Sequence, residues 1–69
     1  MFITITNAAT LHKGQKTAIN TETIVSMWRS DITRDNSTVE NITLIFMPPH
    51  GTWEAEETVE EIIELINGK

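Results

Sequence analysis

Gly51-Thr52-Trp53-Glu54-Ala55-Glu56-Glu57-Thr58-Val59-Glu60-Glu61-Ile62-Ile63-Glu64-Leu65-Ile66-Asn67-Gly68-Lys69 decides the fold class. Val59, Ile62, Ile63 and Ile66 recur at i, i+3, i+4 and i+7, the spacing of one helical face. Glu57, Glu60, Glu61 and Glu64 fall on the opposite face. Thr58 followed by Glu61 fits a capping box, and Gly68 sits where a helix end favours a left-handed residue. The spacing predicts a helix over 58–67 with its four β-branched residues buried. Upstream, Trp53 and Ala55 alternate with Thr52, Glu54 and Glu56, as in a half-buried strand.

Working back from this strand, Pro48-Pro49-His50-Gly51 interrupts the chain. Proline removes ladder donors and glycine permits a turn. Glu40 to Met47 is the clearest strand, with Ile42, Leu44 and Phe46 on one side and Thr43, Ile45 and Met47 on the other. Being apolar on both sides, it is expected to be central or to cover an interface. Ser30 to Thr38 is polar and reads as an exposed hairpin loop. Thr23 to Arg29 reads as a strand, or as one turn of helix leading into one. Ile3 and Ile5 alternate with threonines in a first strand, and Gln15 to Asn20 returns beside it. The chain thus reads as one α+β domain over residues 1–69, a five-strand antiparallel meander against one C-terminal helix.

With 69 residues and no cysteine, the domain is small and unstapled. Such a domain buries only about 60% of its unfolded surface, and many borrow stability from a partner subunit. A homo-oligomer is therefore expected. The N-terminal residues have no basic n-region or long apolar run, and no stretch approaches the roughly 18 apolar residues of a membrane span. These features point to a cytoplasmic protein without membrane association.

Charge is concentrated at one end. Residues 1–53 carry four basic and four acidic side chains, whereas residues 54–69 carry six glutamates and one lysine. The basic residues Lys13, Lys16, Arg29 and Arg34 are dispersed along the chain. Direct nucleic-acid binding is disfavoured by this pattern. The glutamate face solubilises the helix or steers a basic protein partner towards it.

Catalytic signals are weak. His12 and His50 fall in loops without a carboxylate or second histidine at ligand spacing, so no metal or other cofactor is expected. No serine lies in a nucleophile elbow, and no glycine-rich phosphate loop occurs. Glutamates on an exposed helix lack the environments that push paired acidities apart. The expectation is a non-enzymatic protein. Trp28 and Trp53 are expected in the core or under the helix. The alternative is that one anchors an interface, since tryptophan is enriched at hot spots. The candidate interaction residues are Glu57, Glu60, Glu61 and Glu64 on the helix, with His50 and Trp53 in the Pro48–Trp53 run.

The order Gly14, Ala18-Ile19-Asn20, Ile24-Val25-Ser26-Met27, Ile42-Thr43-Leu44 and Trp53 to Ile63 resembles the FlbD-like small proteins of flagellar and swarming motility. The Ser30–Thr38 and Pro48-Pro49-His50 segments depart from that family's pattern. A strand feeding a terminal helix is also similar to the ending of LytTR-type DNA-binding domains, and compact acidic chains are similar to bacteriophage accessory proteins. These resemblances imply a small interaction or assembly module of a bacterium or phage. The other function class is a nucleic-acid-linked regulator, acting through a phosphate-mimicking acidic helix face or a hidden basic face.

Overall fold

The computed structural model describes residues 1–68. Strands β1 (Phe2–Thr6), β2 (Lys16–Asn20), β3 (Ser26–Thr33), β4 (Val39–Phe46) and β5 (Thr52–Ala55) precede helix α1 (Val59–Ile66). Short 3₁₀ turns at Thr10–His12 and Thr21–Thr23 flank β2. The α+β class holds, with antiparallel pairing throughout.

The strands form two sheets rather than one meander: β1 pairs with β2, and β3-β4-β5 follow in sequence order. The break falls at Asn20–Val25. Asn20 caps the Thr21–Thr23 turn by accepting from the Glu22 N–H, so the chain coils instead of pairing β2 with β3. The sheets meet at the end of β1. There Asn7 bridges Ala55, the Ala8 N–H donates to Glu54 O at 3.0 Å, and the Glu56 N–H donates to Thr6 O at 2.9 Å.

β3 is longer than its composition suggests. Ser30 to Thr33 belongs to the strand, and only Arg34 to Thr38 turns. A ladder needs backbone groups, so polar side chains at an exposed sheet end do not stop pairing. The turn is closed by the Arg34 N–H donating to Thr38 O at 2.8 Å, with Ser37 at a φ of 66°.

Ile3, Ile5, Ile19, Ile45, Met47, Ala55 and Ile62 form the core, rimmed by Ile24, Met27, Trp53 and Ile66. β4 is central, and its Thr43-Ile45-Met47 side faces this core. α1 packs on β1 and β3. Its expected buried face is corrected in part. Ile62 is fully buried, Val59 and Ile66 are half-buried, and Ile63 is 44% exposed. The helix is eight residues, about 12 Å, and meets the sheets along a narrow line. Ile63 lies roughly 100° around the helix from Ile62 and falls off that line.

Candidate interaction surfaces

The glutamates do not act as one acidic face. Glu57 lies before the helix, half-buried, in the bend after β5. Its carboxylate accepts the Thr6 N–H at 2.8 and 3.0 Å and the Thr6 hydroxyl at 2.8 Å. Lys16 Nζ donates to the same hydroxyl at 2.8 Å. The Glu57 carbonyl accepts from the Thr43 hydroxyl and from Arg29 Nη1. Glu57 therefore clasps the helix connection to both sheets.

Glu61 completes the capping box. Its carboxylate accepts the Thr58 N–H at 2.8 Å, and its own N–H donates to Thr58 Oγ1 at 3.1 Å. The Thr58 backbone N–H first, and its side chain second, hold the Glu61 carboxyl below the usual carboxylate range. Glu60 and Glu64 remain exposed, four residues apart on α1.

Each basic side chain in the first half of the chain is engaged. Lys13 pairs with Glu40 at 2.6 Å, and Arg34 pairs with Glu40 and Glu54, each at 2.9 Å. Arg34 also donates to Ala8 O at 2.8 Å, tying the first hairpin to β4 and β5. Lys13 first, then Arg34, hold the Glu40 carboxyl low, and Glu54 first, then Glu40, raise the Arg34 guanidinium. A cavity of about 430 Å³ lies over this cluster, lined also by Thr10, Thr33 and Asp35. Its two cations face two carboxylates, so it offers little net charge to an anion. Arg29 donates to Asn41, Thr43 and the carbonyls of Glu56 and Glu57. Lys13 and Arg34 are thus ion-paired, whereas Lys16 and Arg29 bond to neutral oxygens.

His50 and Trp53 do come together. With Ala18, Asn20, Thr23 and Met47 they line a groove of about 240 Å³ at the open mouth of the core. His50 is exposed on the Pro48–His50 turn, and Trp53 packs half-buried against the core. Among the described residues no group of three or more His, Cys, Asp or Glu side chains is placed to hold a metal ion.

Trp28 is corrected: it is 42% exposed on the face of β3 turned away from the core. It sits opposite Leu44, with Phe46 one pair further along opposite Ser26. Phe46 is 38% exposed and Leu44 is half-buried. Only at the other end is this face closed, where Ile42 is buried. The signal was present in the sequence. Once β3 pairs with β4 about the Asp35–Ser37 turn, Trp28 must share the Leu44 face and not the Ile45 face.

No family model, curated protein or solved structure matches the chain.

Proposed function

We propose that this chain is a small non-enzymatic protein-interaction or assembly module, working through the outer face of its three-stranded sheet. One observation carries the reading: Trp28, Leu44 and Phe46 form a contiguous, partly exposed apolar patch beside the unpaired edge of β3. Large exposed aromatics rimmed by polar residues suit interface anchors. Ser26, Ser30 and Thr52 supply such a rim on the same face. The carboxylates with displaced acidities support a structural role for these groups. Glu40 serves an ion-pair cluster and Glu61 a helix cap. Glu60 and Glu64 are left to steer a basic partner at long range. On the resemblance to FlbD-like proteins, the module would work in a bacterium or phage.

The test compares capture of one partner from a bacterial lysate by three proteins: the intact chain, Trp28→Ser, and the double variant Glu60→Gln, Glu64→Gln. Loss with Trp28→Ser and retention with the glutamate variant supports the sheet face. The reverse pattern returns the function to the acidic helix. Helical and β signals in circular dichroism establish that each variant is folded.

A further inference from the structure

We infer that β3 is a self-recognition edge, pairing antiparallel with β3 of a second copy in a register that sets Arg29 opposite Asp31 of that copy. The inference rests on the reading above only in using the same sheet.

The ladder parity comes first. Arg34 donates to Thr38 O, and Met47 on the other side of β4 donates to Gly51 O. Alternation along an antiparallel ladder then gives Trp28, Ser30 and Ile32 the bonds to β4. The backbone N–H and C=O groups of Met27, Arg29, Asp31 and Thr33 point outward. Among the described residues none of these groups has a hydrogen-bond partner. Unpaired edges are templates for another strand unless blunted by proline, a bulge or shortness. β3 has eight residues and no proline; charged side chains also blunt an edge, and those on β3 are Arg29 and Asp31, of opposite sign. The β5 and β2 edges are less open, and the outer edge of β1 is five residues long and closed at Thr6 by Glu56 and Glu57. β5 takes Ala8 and Thr6 on its outer side, and β2 is five residues with Lys16 at its start and the Asn20 carbonyl bonded to the Thr23 hydroxyl.

Charge then selects the register. Outward groups must meet outward groups, so the two-fold axis passes through Arg29, Ser30 or Asp31 in the central registers. An axis at Arg29 sets arginine against arginine, and one at Asp31 sets aspartate against aspartate. Like charges directly opposite are unfavourable. An axis at Ser30 sets Arg29 against Asp31 of the second copy, twice. It also sets Trp28 against Ile32, an aromatic–β-branched pair on the outer face. Within each copy Asn41 already bridges the two charges, accepting from Arg29 Nε at 2.8 Å and donating to Asp31 at 2.9 Å. The guanidinium lies over β4, bonded also to Thr43, Asn41 O and the Glu56 and Glu57 carbonyls, so its attraction for the exposed Asp31 of the second copy acts as a field across the edge and not as a contact pair. Such a two-fold axis stands perpendicular to the sheet. The two Trp28-Leu44-Phe46 patches then fall on one side and merge into one continuous surface.

The chain contains no cysteine, which makes the test specific. In the inferred register Ser30 faces itself in a non-hydrogen-bonded pair, where Cα atoms approach to about 4.5 Å, within disulfide reach. Mild oxidation of Ser30→Cys at micromolar concentration is expected to give mostly covalent dimer. Ile32→Cys, which would face Trp28, is expected to cross-link at least tenfold more slowly. In sedimentation the unmodified chain is expected at dimer mass, and Asp31→Lys is expected to raise the dissociation constant tenfold or more. Monomer mass at every concentration up to millimolar overturns the inference, as does equal cross-linking of the two cysteine variants. A monomeric chain whose partner capture still depends on Trp28 overturns the self-pairing and leaves the proposed sheet-face function standing.

Discussion

The Glu57 carboxylate grips Thr6 by both its backbone N–H, at 2.8 Å, and its hydroxyl, also at 2.8 Å. These residues are 51 positions apart, and the contact fastens the approach to the helix onto the end of β1. It continues the strand pairing by side chain where the backbone bridge stops. Glu56 donates to Thr6 O, and Glu57 then satisfies the Thr6 N–H.

Glu57→Ala is therefore expected to destabilise the fold by about 1–3 kcal/mol, because a half-buried backbone donor loses its acceptor. Glu60→Ala on the exposed helix face is expected to stay within about 0.5 kcal/mol. Urea titrations of the two variants check the contrast. Equal midpoints would assign Glu57 to the solvated acidic face after all.

The helix offers a sharper pair. Ile62 is fully buried in the core and Ile63 is 44% exposed. Ile62→Ala is expected to cost about 2–5 kcal/mol, a large part of the stability of so small a domain. Ile63→Ala is expected to cost under about 1 kcal/mol, since little apolar area returns to water. Thermal or urea unfolding of both variants reads the difference directly.

Acid sensitivity follows from Glu61 and Glu40. Both carboxyls are held below their ordinary range when folded. A depressed folded value contributes stability that is fully present above the unfolded value, near about 4.3. That contribution is lost as pH falls through the lower folded values. Glu61→Gln keeps an oxygen acceptor for the Thr58 N–H but removes the titration. It is expected to flatten the fall in urea midpoint below about pH 4.3, while at neutral pH the helix content stays the same.

Trp28 and Trp53 can be separated by fluorescence. Trp53→Phe leaves Trp28, on the open sheet face, as the sole emitter. Its emission is expected to move to shorter wavelength as concentration rises and Ile32 of the second copy packs beside the indole. Adding Asp31→Lys is expected to hold it at the longer wavelength over the same range.

The first hairpin, the central β4 strand and the helix with its cap were legible because each is signalled by neighbours in the chain. Ile3 and Ile5 at period two, Ile42 to Met47 with two apolar sides, and Thr58 with Glu61 are local patterns. The division into two sheets was not legible. The Asn20 turn that ends β2 is local, but how the two sheets then dock depends on Arg34 reaching Ala8 and Glu54, and on Thr6 meeting Glu56 and Glu57, contacts at separations no window spans. Ser30 to Thr33 looked like a loop because strand pairing is made by backbone, which composition does not report.

By itself the sequence determined that five strands precede a terminal helix, where the helix starts, and that the charge gathers towards the C-terminal end. Periodicity and capping act over a few residues, so they are written in order along the chain. Tertiary structure alone decided what each face meets. It turned Glu57 and Glu61 into structural clasps, tied Lys13 and Arg34 to Glu40, placed Ile63 in solvent, and put Trp28 outside on an open sheet. An amphipathic pattern says that a face is apolar. How much of that face is covered depends on the width of the surface packed against it, which a short helix and two small sheets settle only in space.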